Sequence, residues 1–265
     1  MRRLIRYVLL AVGAAQIVLT VALIVQWQPL VDLWPFEGTT PLTFIFVASI
    51  VIAAAASTLW AAASENYGAL AGIGLDYLVI FSAMTVILAT LNPLDDVRRV
   101  AYTVIAALVA IFGLGLFLWS RRNPIEPMPP MPAPVRWSFV VFVVGLLIVG
   151  GLVVLGIQDV IPWSVTPELA LVVGWMFIGA AAYFAYGLLR PSWLNSAGQL
   201  LGFLAYDLVL IVPFVLRLPN GPANLLPSLI LYTAVVIYSG LLAAFYLFVN
   251  GPTRRRTWSR AKRRE

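Results

Sequence analysis

The sequence predicts an all-α integral membrane protein whose eight transmembrane helices form two tandem, parallel-oriented four-helix repeats. This prediction depends on the composition, on eight long apolar runs and on a similarity between the two halves of the chain. Hydrophobic residues make up 62% of the 265 residues, charged residues make up 11%, and the mean hydropathy is +0.96. Soluble domains are about half apolar and about a quarter charged, so the composition excludes a soluble fold.

Eight apolar runs of about 20 residues each match the length with which a helix crosses about 30 Å of hydrocarbon. The runs are continuously apolar, and a helix satisfies its own backbone polar groups, so helices are favoured over a β-barrel. The first run follows three arginines and has a signal peptide as an alternative interpretation, but its length and its later counterpart favour a retained helix. The predicted spans cover residues 7–26, 42–63, 68–91, 100–119, 137–157, 168–189, 196–216 and 226–249.

The two halves repeat one another. A shift of 126 residues aligns Thr40 with Thr166 at the start of the second span of each half. A shift of 130 residues aligns matching residues in the third and fourth spans: Gly68 with Gly198, Gly72 with Gly202, Leu78-Val79 with Leu208-Val209, and Tyr102-Thr103 with Tyr232-Thr233. Matching residues that occur in the same order in both halves indicate that the chain contains a duplication. Because each copy has an even number of spans, both copies have the same orientation about an axis along the membrane normal.

The predicted domains follow from the repeat. Residues 1–122 form the first four-helix repeat and residues 136–250 form the second. Residues 123–135 contain six prolines and form a linker, for which an extended semi-rigid spacer is favoured over a proline-recognition ligand. Residues 251–265 form a basic cytoplasmic tail.

The distribution of the basic residues along the chain predicts its orientation in the membrane. With the N-terminus inside, fourteen of the seventeen Lys and Arg residues lie on the cytoplasmic side, and only Arg98, Arg99 and Arg217 lie outside. The positive-inside rule therefore predicts that both termini are cytoplasmic. Trp163 and Trp193 are expected at the outer and inner interfaces, as members of the aromatic belts. Arginine outnumbers lysine sixteen to one, which is typical of a GC-rich prokaryotic gene and favours a bacterial inner membrane.

The chain has no Cys and no His, which removes thiolate nucleophiles, imidazole bases, His-ligated haem and the common zinc sites. Neither a P-loop nor a nucleophile elbow is present. We therefore expect no cofactor, no metal site and no enzymatic activity. The net charge of +6 comes from basic residues beside the apolar spans, where the positive-inside rule accounts for them. No nucleic-acid partner is therefore expected.

Two acids lie near the middle of predicted spans and are the candidates for coupling to a proton, a cation or a substrate. Asp76 and Asp207 each lie about ten residues into a span, where a charge costs at least ~2.5 kcal/mol. They occupy nearly corresponding places, offset by one residue and hence by about 100° around the helix. The alternative is structural, in which each carboxyl group is protonated and hydrogen-bonded between helices.

Four glycines, Gly68, Gly72, Gly198 and Gly202, follow the small-xxx-small spacing and are candidates for close helix packing, within the chain in preference to a dimer interface. Thr40 and Thr166 precede prolines and are predicted helix N-caps. The tail is expected to contact anionic lipids at the cytoplasmic face, at about 1 kcal/mol per basic residue. The residues expected to make this contact are Arg254, Arg255, Arg256, Arg260, Lys262, Arg263 and Arg264.

The sequence does not name an activity. The favoured hypothesis is a multi-pass inner-membrane protein that binds or transports a small solute or lipid between its two repeats. The first alternative is a non-catalytic scaffold or accessory subunit of a membrane complex. The third hypothesis is an enzyme that depends on acidic residues alone. Asp76 and Asp207 lining a cavity would favour the first hypothesis over the second.

Overall fold

The structure is a computed structural model that describes residues 2–36, 40–90, 97–123 and 129–258. In these ranges all regular elements are helical, and eight helices are long and apolar enough to span a membrane. The prediction of an all-α, multi-pass membrane chain is therefore confirmed. The helices are α1 (Arg2–Ile24), the one-turn α2 (Gln28–Val31), α3 (Pro41–Ser64), α4 (Ala71–Thr90), α5 (Val97–Ser120), α6 (Ala133–Val154), α7 (Pro167–Leu189), α8 (Trp193–Arg217), α9 (Leu226–Ala244) and α10 (Gly251–Trp258).

Two of the spanning helices begin at the predicted caps. The hydroxyl of Thr40 accepts the backbone N–H of Thr43 at 3.4 Å, and the hydroxyl of Thr166 accepts that of Leu169 at 3.3 Å. In both cases proline follows in the first turn, where its missing N–H costs nothing. The predicted N-caps of α3 and α7 are confirmed.

The helices pack in pairs around a buried centre. The pairs α1 with α3, α4 with α5, α6 with α7 and α8 with α9 are each neighbours in the order of spans. Between these pairs, α3 packs on α8 and α4 packs on α7. The four central helices α3, α4, α7 and α8 therefore join the N-terminal half of the chain to the C-terminal half.

Glycines set the closest helix crossings. A Cβ at Gly74 would lie 2.8 Å from the carbonyl oxygen of Gly113, and one at Gly113 would lie 2.8 Å from that of Gly74. Gly150 and Gly174 face each other in the same way, at 2.8 and 2.9 Å, between α6 and α7. Close backbone approach is the usual role of small residues in membrane helices. The sequence analysis missed these two pairs, because their partners lie on different helices.

The C-terminal end of the predicted linker is helical in the structure. Helix α6 begins at Ala133, inside the predicted linker 123–135. The backbone N–H of Met131 donates to the carbonyl oxygen of Pro191 at 3.1 Å, and that of Trp193 donates to Pro129 at 2.7 Å. The end of the linker is therefore tied to the connection between α7 and α8. Residues 124–128 of the linker lie outside the described ranges.

Two tryptophans expected in the aromatic belts are instead inside the protein. Trp163 is 2% exposed and packs on Phe46 with ring centroids 5.1 Å apart. Trp193 is fully buried, and its indole N–H donates to α10. Tryptophan has a polar N–H that needs a partner when the ring is buried, and α10 supplies one here.

Candidate functional site

A cavity of about 130 Å³ lies in the centre of the bundle, between the two halves of the chain. Helices α3 and α4 contribute to it from the N-terminal half, and α6, α7, α8 and α9 contribute from the C-terminal half. Most of its wall is apolar and aromatic. Its polar groups are the carboxyl group of Asp76 and the hydroxyl-bearing side chains of Tyr183, Tyr206 and Tyr232. The cavity is a concave, mainly apolar space with a few polar groups, which is the usual form of a small-molecule site.

Asp76 is partly buried and lines this cavity from α4. Its Oδ1 atom is buried and accepts no hydrogen bond from any residue that the structure describes. A buried polar atom without a partner costs about 1 to 3 kcal/mol, and more when it is charged. Asp76 can therefore gain a hydrogen bond from a donor or a cation that enters the cavity.

Two pairs of polar side chains flank Asp76. Nε2 of Gln16 donates to the hydroxyl of Tyr77, the next residue along α4, at 2.6 Å. The hydroxyls of Ser57 and Tyr183 are 3.0 Å apart, and that of Ser57 also donates to the carbonyl oxygen of Gly198 at 2.8 Å. These bonds connect α1 to α4 and α3 to α7 and α8. The bond to Ser57 fixes the hydroxyl group of Tyr183, which lines the cavity.

Gly179 makes room for Asp76. A Cβ at this position of α7 would lie 2.7 Å from Oδ1 of Asp76 and 2.5 Å from Cγ1 of Ile80. The contact between α4 and α7 at this level is therefore possible only because residue 179 has no side chain. It places the carboxyl group against the backbone of the opposite half.

Asp207 lies elsewhere. It is 3% exposed, and a Cβ added at Gly240 of α9 would lie 3.6 Å from its Oδ2. Asp207 is not among the residues that line the cavity. Neither of its carboxyl oxygens has a hydrogen-bond partner among the described residues. The Ser239 hydroxyl lies beside it, but its best geometry is to the carbonyl oxygen of Val235 at 2.7 Å. The structure therefore separates the two acids that the sequence analysis paired.

The four glycines of the small-xxx-small motifs lie in the packed interior. Gly72 faces the ring of Tyr183, and Gly198 faces the ring of Trp60. A Cβ at Gly202 would lie 2.5 Å from the hydroxyl oxygen of Ser57 and 2.8 Å from the carbonyl oxygen of Ala53. Gly68 is buried in the 3₁₀ turn Tyr67–Leu70 that precedes α4.

Gln199 is a polar residue in the centre of the protein that the sequence analysis missed. It is fully buried, its Nε2 donates to the carbonyl oxygen of Tyr183, and its side chain contacts Gly72 and Gly187. It thus holds α7 against α8 beside the cavity. The signal was present, because a carboxamide inside an apolar span usually forms a hydrogen bond to a neighbouring helix.

The predicted lipid-contacting residues divide between described and undescribed parts of the chain. Arg254, Arg255 and Arg256 are exposed on α10. Thr253 and Thr257 on the same helix are buried against the bundle, so this part of the tail is a docked helix. Arg260, Lys262, Arg263 and Arg264 lie outside the described residues.

Within the described ranges there is no group of three His, Cys, Asp or Glu residues that could hold a metal ion. The central arrangement is instead a carboxyl group, three tyrosines and an apolar wall around a small cavity. No protein-family model matches the chain, and comparison with curated proteins and with solved structures finds no match.

Proposed function

We propose that the chain binds a small, largely apolar solute in the central cavity, with a cationic or hydrogen-bond-donating group of the solute facing Asp76. The observation that carries the proposal is the carboxyl group of Asp76, a residue that lines a cavity between the two halves and whose buried Oδ1 has no donor among the described residues. An apolar cavity of about 150 Å³ is large enough for benzene. A cavity of about 130 Å³ therefore suits a compact solute and not a whole lipid.

The position of the cavity extends the proposal to transport. In many transporters the substrate lies at the interface between two structural repeats, near the middle of the membrane. Asp76 is the residue to which we assign coupling to a cation or proton, because it lines the cavity and Asp207 does not. We assign no catalysis to the site, in keeping with a chain that has no Cys and no His.

The packing of the helices supports the proposed two repeats. If α3 is matched with α7 and α4 with α8, the contact of α3 with α8 corresponds to the contact of α7 with α4. The pairs α1 with α3 and α6 with α7 correspond as well, as do α4 with α5 and α8 with α9. This is the pattern that two parallel copies related by a two-fold axis would give.

Bacterial inner-membrane localisation with both termini in the cytoplasm is part of the proposal. It is supported by the excess of basic residues on one side of the predicted spans. A fluorescent protein that folds only in the cytoplasm, fused after residue 265, should fluoresce in intact bacterial cells. A dark but membrane-inserted fusion would contradict the topology.

The experiment for binding uses two probes of similar shape. Benzylamine carries a cationic group and toluene does not, and both are close to the size of the cavity. Native mass spectrometry and thermal unfolding of the purified full chain should show tighter binding of benzylamine. Asp76→Asn should remove the preference, since it removes the charge but keeps the shape.

Asp207→Asn is the matched control, because it makes the same chemical change at a buried acid outside the cavity. It should leave the preference for benzylamine intact. If neither benzylamine nor toluene binds, the result would oppose the proposal and favour the second candidate, a non-catalytic scaffold. That candidate is supported by the exposed Arg254, Arg255 and Arg256 on the docked helix α10, which form a basic surface for a partner.

A further inference from the structure

A second cavity is an open groove of about 590 Å³ on the outside of the bundle. We call it the α3–α8 groove. Its long walls are apolar and consist of Ala56, Leu59 and Ala63 on α3 and Leu201, Leu204 and Leu208 on α8. Ala63 and Leu208 are exposed, so the groove opens to the surroundings of the spanning helices. In a membrane those surroundings are lipid chains.

One end of the groove is polar. Arg6 of α1 lies there, with Ser64 at the end of α3 and Thr257 and Trp258 of α10. The polar end of the groove therefore lies at the level of the first turns of α1 and the last turn of α10. The groove thus has an apolar body within the span and a polar end near its limit.

Arg6 is incompletely paired. The closest approach of its guanidinium to the carboxyl group of Glu65 is 3.9 Å, between Nη1 and Oε1. Its Nε is buried and donates to no acceptor in the part of the chain that the structure describes. A guanidinium has five N–H donors arranged as a fork that fits a phosphate group. One long contact to Glu65 leaves capacity for an oxygen-rich anion.

The charges around the polar end favour an anion. Arg3 is exposed one turn before Arg6 on α1, and Arg255 is exposed on α10. Among the described residues, Glu65 is the one acid that contacts Arg6. Trp258 is 51% exposed and stacks on Phe248 with ring centroids 5.7 Å apart, which places an indole ring beside the polar end, where headgroup-level tryptophans lie in membrane proteins.

We propose that the α3–α8 groove binds one anionic phospholipid, with an acyl chain between α3 and α8 and the phosphate against Arg6. Residues 56–63 of α3 give an apolar wall about 11 Å long, at 1.5 Å per residue, which suits the upper part of an acyl chain. The site is separate from the central cavity and does not depend on the function proposed for it.

The test is a lipid titration of the full chain in non-ionic detergent, followed by native mass spectrometry. The probes are dioleoyl phosphatidylglycerol, which is anionic, and dioleoyl phosphatidylcholine, which has the same acyl chains without net charge. The first phosphatidylglycerol should bind about fivefold more tightly than phosphatidylcholine, which corresponds to one basic contact. Arg6→Gln should abolish this preference.

Arg3→Gln is the matched control for charge, because Arg3 is on the same helix end but does not line the groove. It should keep the preference. Arg6→Lys keeps the charge that orients α1 and should retain most of the preference, which separates lost binding from failed insertion. Equal effects of Arg6→Gln and Arg3→Gln would show diffuse attraction and would overturn the site.

The apolar part of the groove has its own test. Ala63→Phe should fill it and lower the affinity for both lipids, whereas Ala101→Phe, at an exposed position on α5, should not. Unchanged lipid binding by Ala63→Phe would overturn the proposal. The proposal would also be overturned if the protein were a dimer and Ala63→Phe dissociated it. The groove would then be the binding surface for a second copy of the chain.

Discussion

The hydroxyl groups of Ser57 and Tyr183 are 3.0 Å apart, and each residue lies seventeen positions after the threonine that caps its helix. Ser57 is on α3 in the N-terminal half and Tyr183 is on α7 in the C-terminal half. Matching positions of the proposed repeats therefore meet each other at the centre of the bundle. The glycines that face them, Gly202 and Gly72, also match one another.

Two separately expressed halves, 1–122 and 123–265, should assemble when they are produced in the same cell. The reason is that the contacts of α3 with α8 and of α4 with α7 join the halves along whole spans. The measurement is recovery of the untagged half after purification of the tagged half. Tyr183→Phe should reduce the recovery, because it removes a hydrogen bond between the halves that is worth about 1 kcal/mol.

Tyr238→Phe is the control for the split protein. Tyr238 is 2.7 Å from the hydroxyl of Ser138, and both residues belong to the second half. The substitution is chemically identical, but it should leave the association of the halves unchanged. Equal losses for Tyr183→Phe and Tyr238→Phe would mean that the Ser57–Tyr183 contact has no special part in joining the halves.

The sequence predicted the spans well and the centre of the bundle incompletely. Hydropathy and the Thr-Pro starts of α3 and α7 are local signals, and both are found in the structure. The pairing of Gly74 with Gly113 and of Ser57 with Tyr183 depends on which helices are neighbours, and apolar helices of similar length do not encode that locally. Asp76 and Asp207 occupy nearly corresponding places in the two predicted repeats, and the sequence already shows their one-residue offset. The one-residue offset between them turns the two side chains toward different neighbours.

Gly179→Ala should lower the free energy of unfolding. The added Cβ would meet Oδ1 of Asp76 at 2.7 Å and Cγ1 of Ile80 at 2.5 Å, so α4 and α7 must separate or Ile80 must move. Overpacking of this kind costs about 1 to 3 kcal/mol. The measurement is unfolding of the purified protein in mixed micelles with increasing fractions of denaturing detergent.

Gly145→Ala is the control for a glycine inside a spanning helix. In the part of the chain that the structure describes, nothing lies within 4 Å of a Cβ at this position of α6. The substitution should be neutral or should stabilise the protein by up to about 1 kcal/mol, since alanine has the higher helix propensity. A destabilisation as large as that of Gly179→Ala would show that loss of glycine in general, and not the contact with Asp76, is responsible.

Asp207→Asn should raise the free energy of unfolding at neutral pH. Both oxygens of Asp207 are buried without a donor among the described residues, so an ionised carboxyl group there is poorly solvated. The expected gain is about 2.5 kcal/mol, the lower figure for the cost of a charge at the middle of a membrane span. Asp76→Asn should give a smaller gain, because Asp76 lies at the wall of a cavity. Destabilisation by Asp207→Asn would instead reveal a favourable interaction of the carboxyl group.

Trp193→Phe should release α10 from the bundle. The indole N–H of Trp193 donates to the carbonyl oxygen of Thr253 at 3.2 Å and to the hydroxyl of Thr257 at 3.0 Å, while the N–H of Trp60 donates to the carbonyl oxygen of Thr257 at 3.1 Å. Phenylalanine keeps an aromatic ring but leaves both threonine acceptors without the indole donor. The measurement is the rate of tryptic cleavage after Arg254, Arg255 and Arg256, followed by mass spectrometry.

The expected change in the cleavage rate follows from the number of bonds that are lost. The single indole N–H makes one hydrogen bond that is shared between two acceptors. Its loss, at about 1 kcal/mol, corresponds to roughly a fivefold larger population of the undocked helix. Proteolysis follows this population when docking is fast relative to cleavage. Trp137→Phe, at a ring that is 69% exposed, should leave the rate unchanged. Equal rates for Trp193→Phe and the unsubstituted protein would mean that Trp60 and the packing of Thr253 hold α10 without the Trp193 bonds.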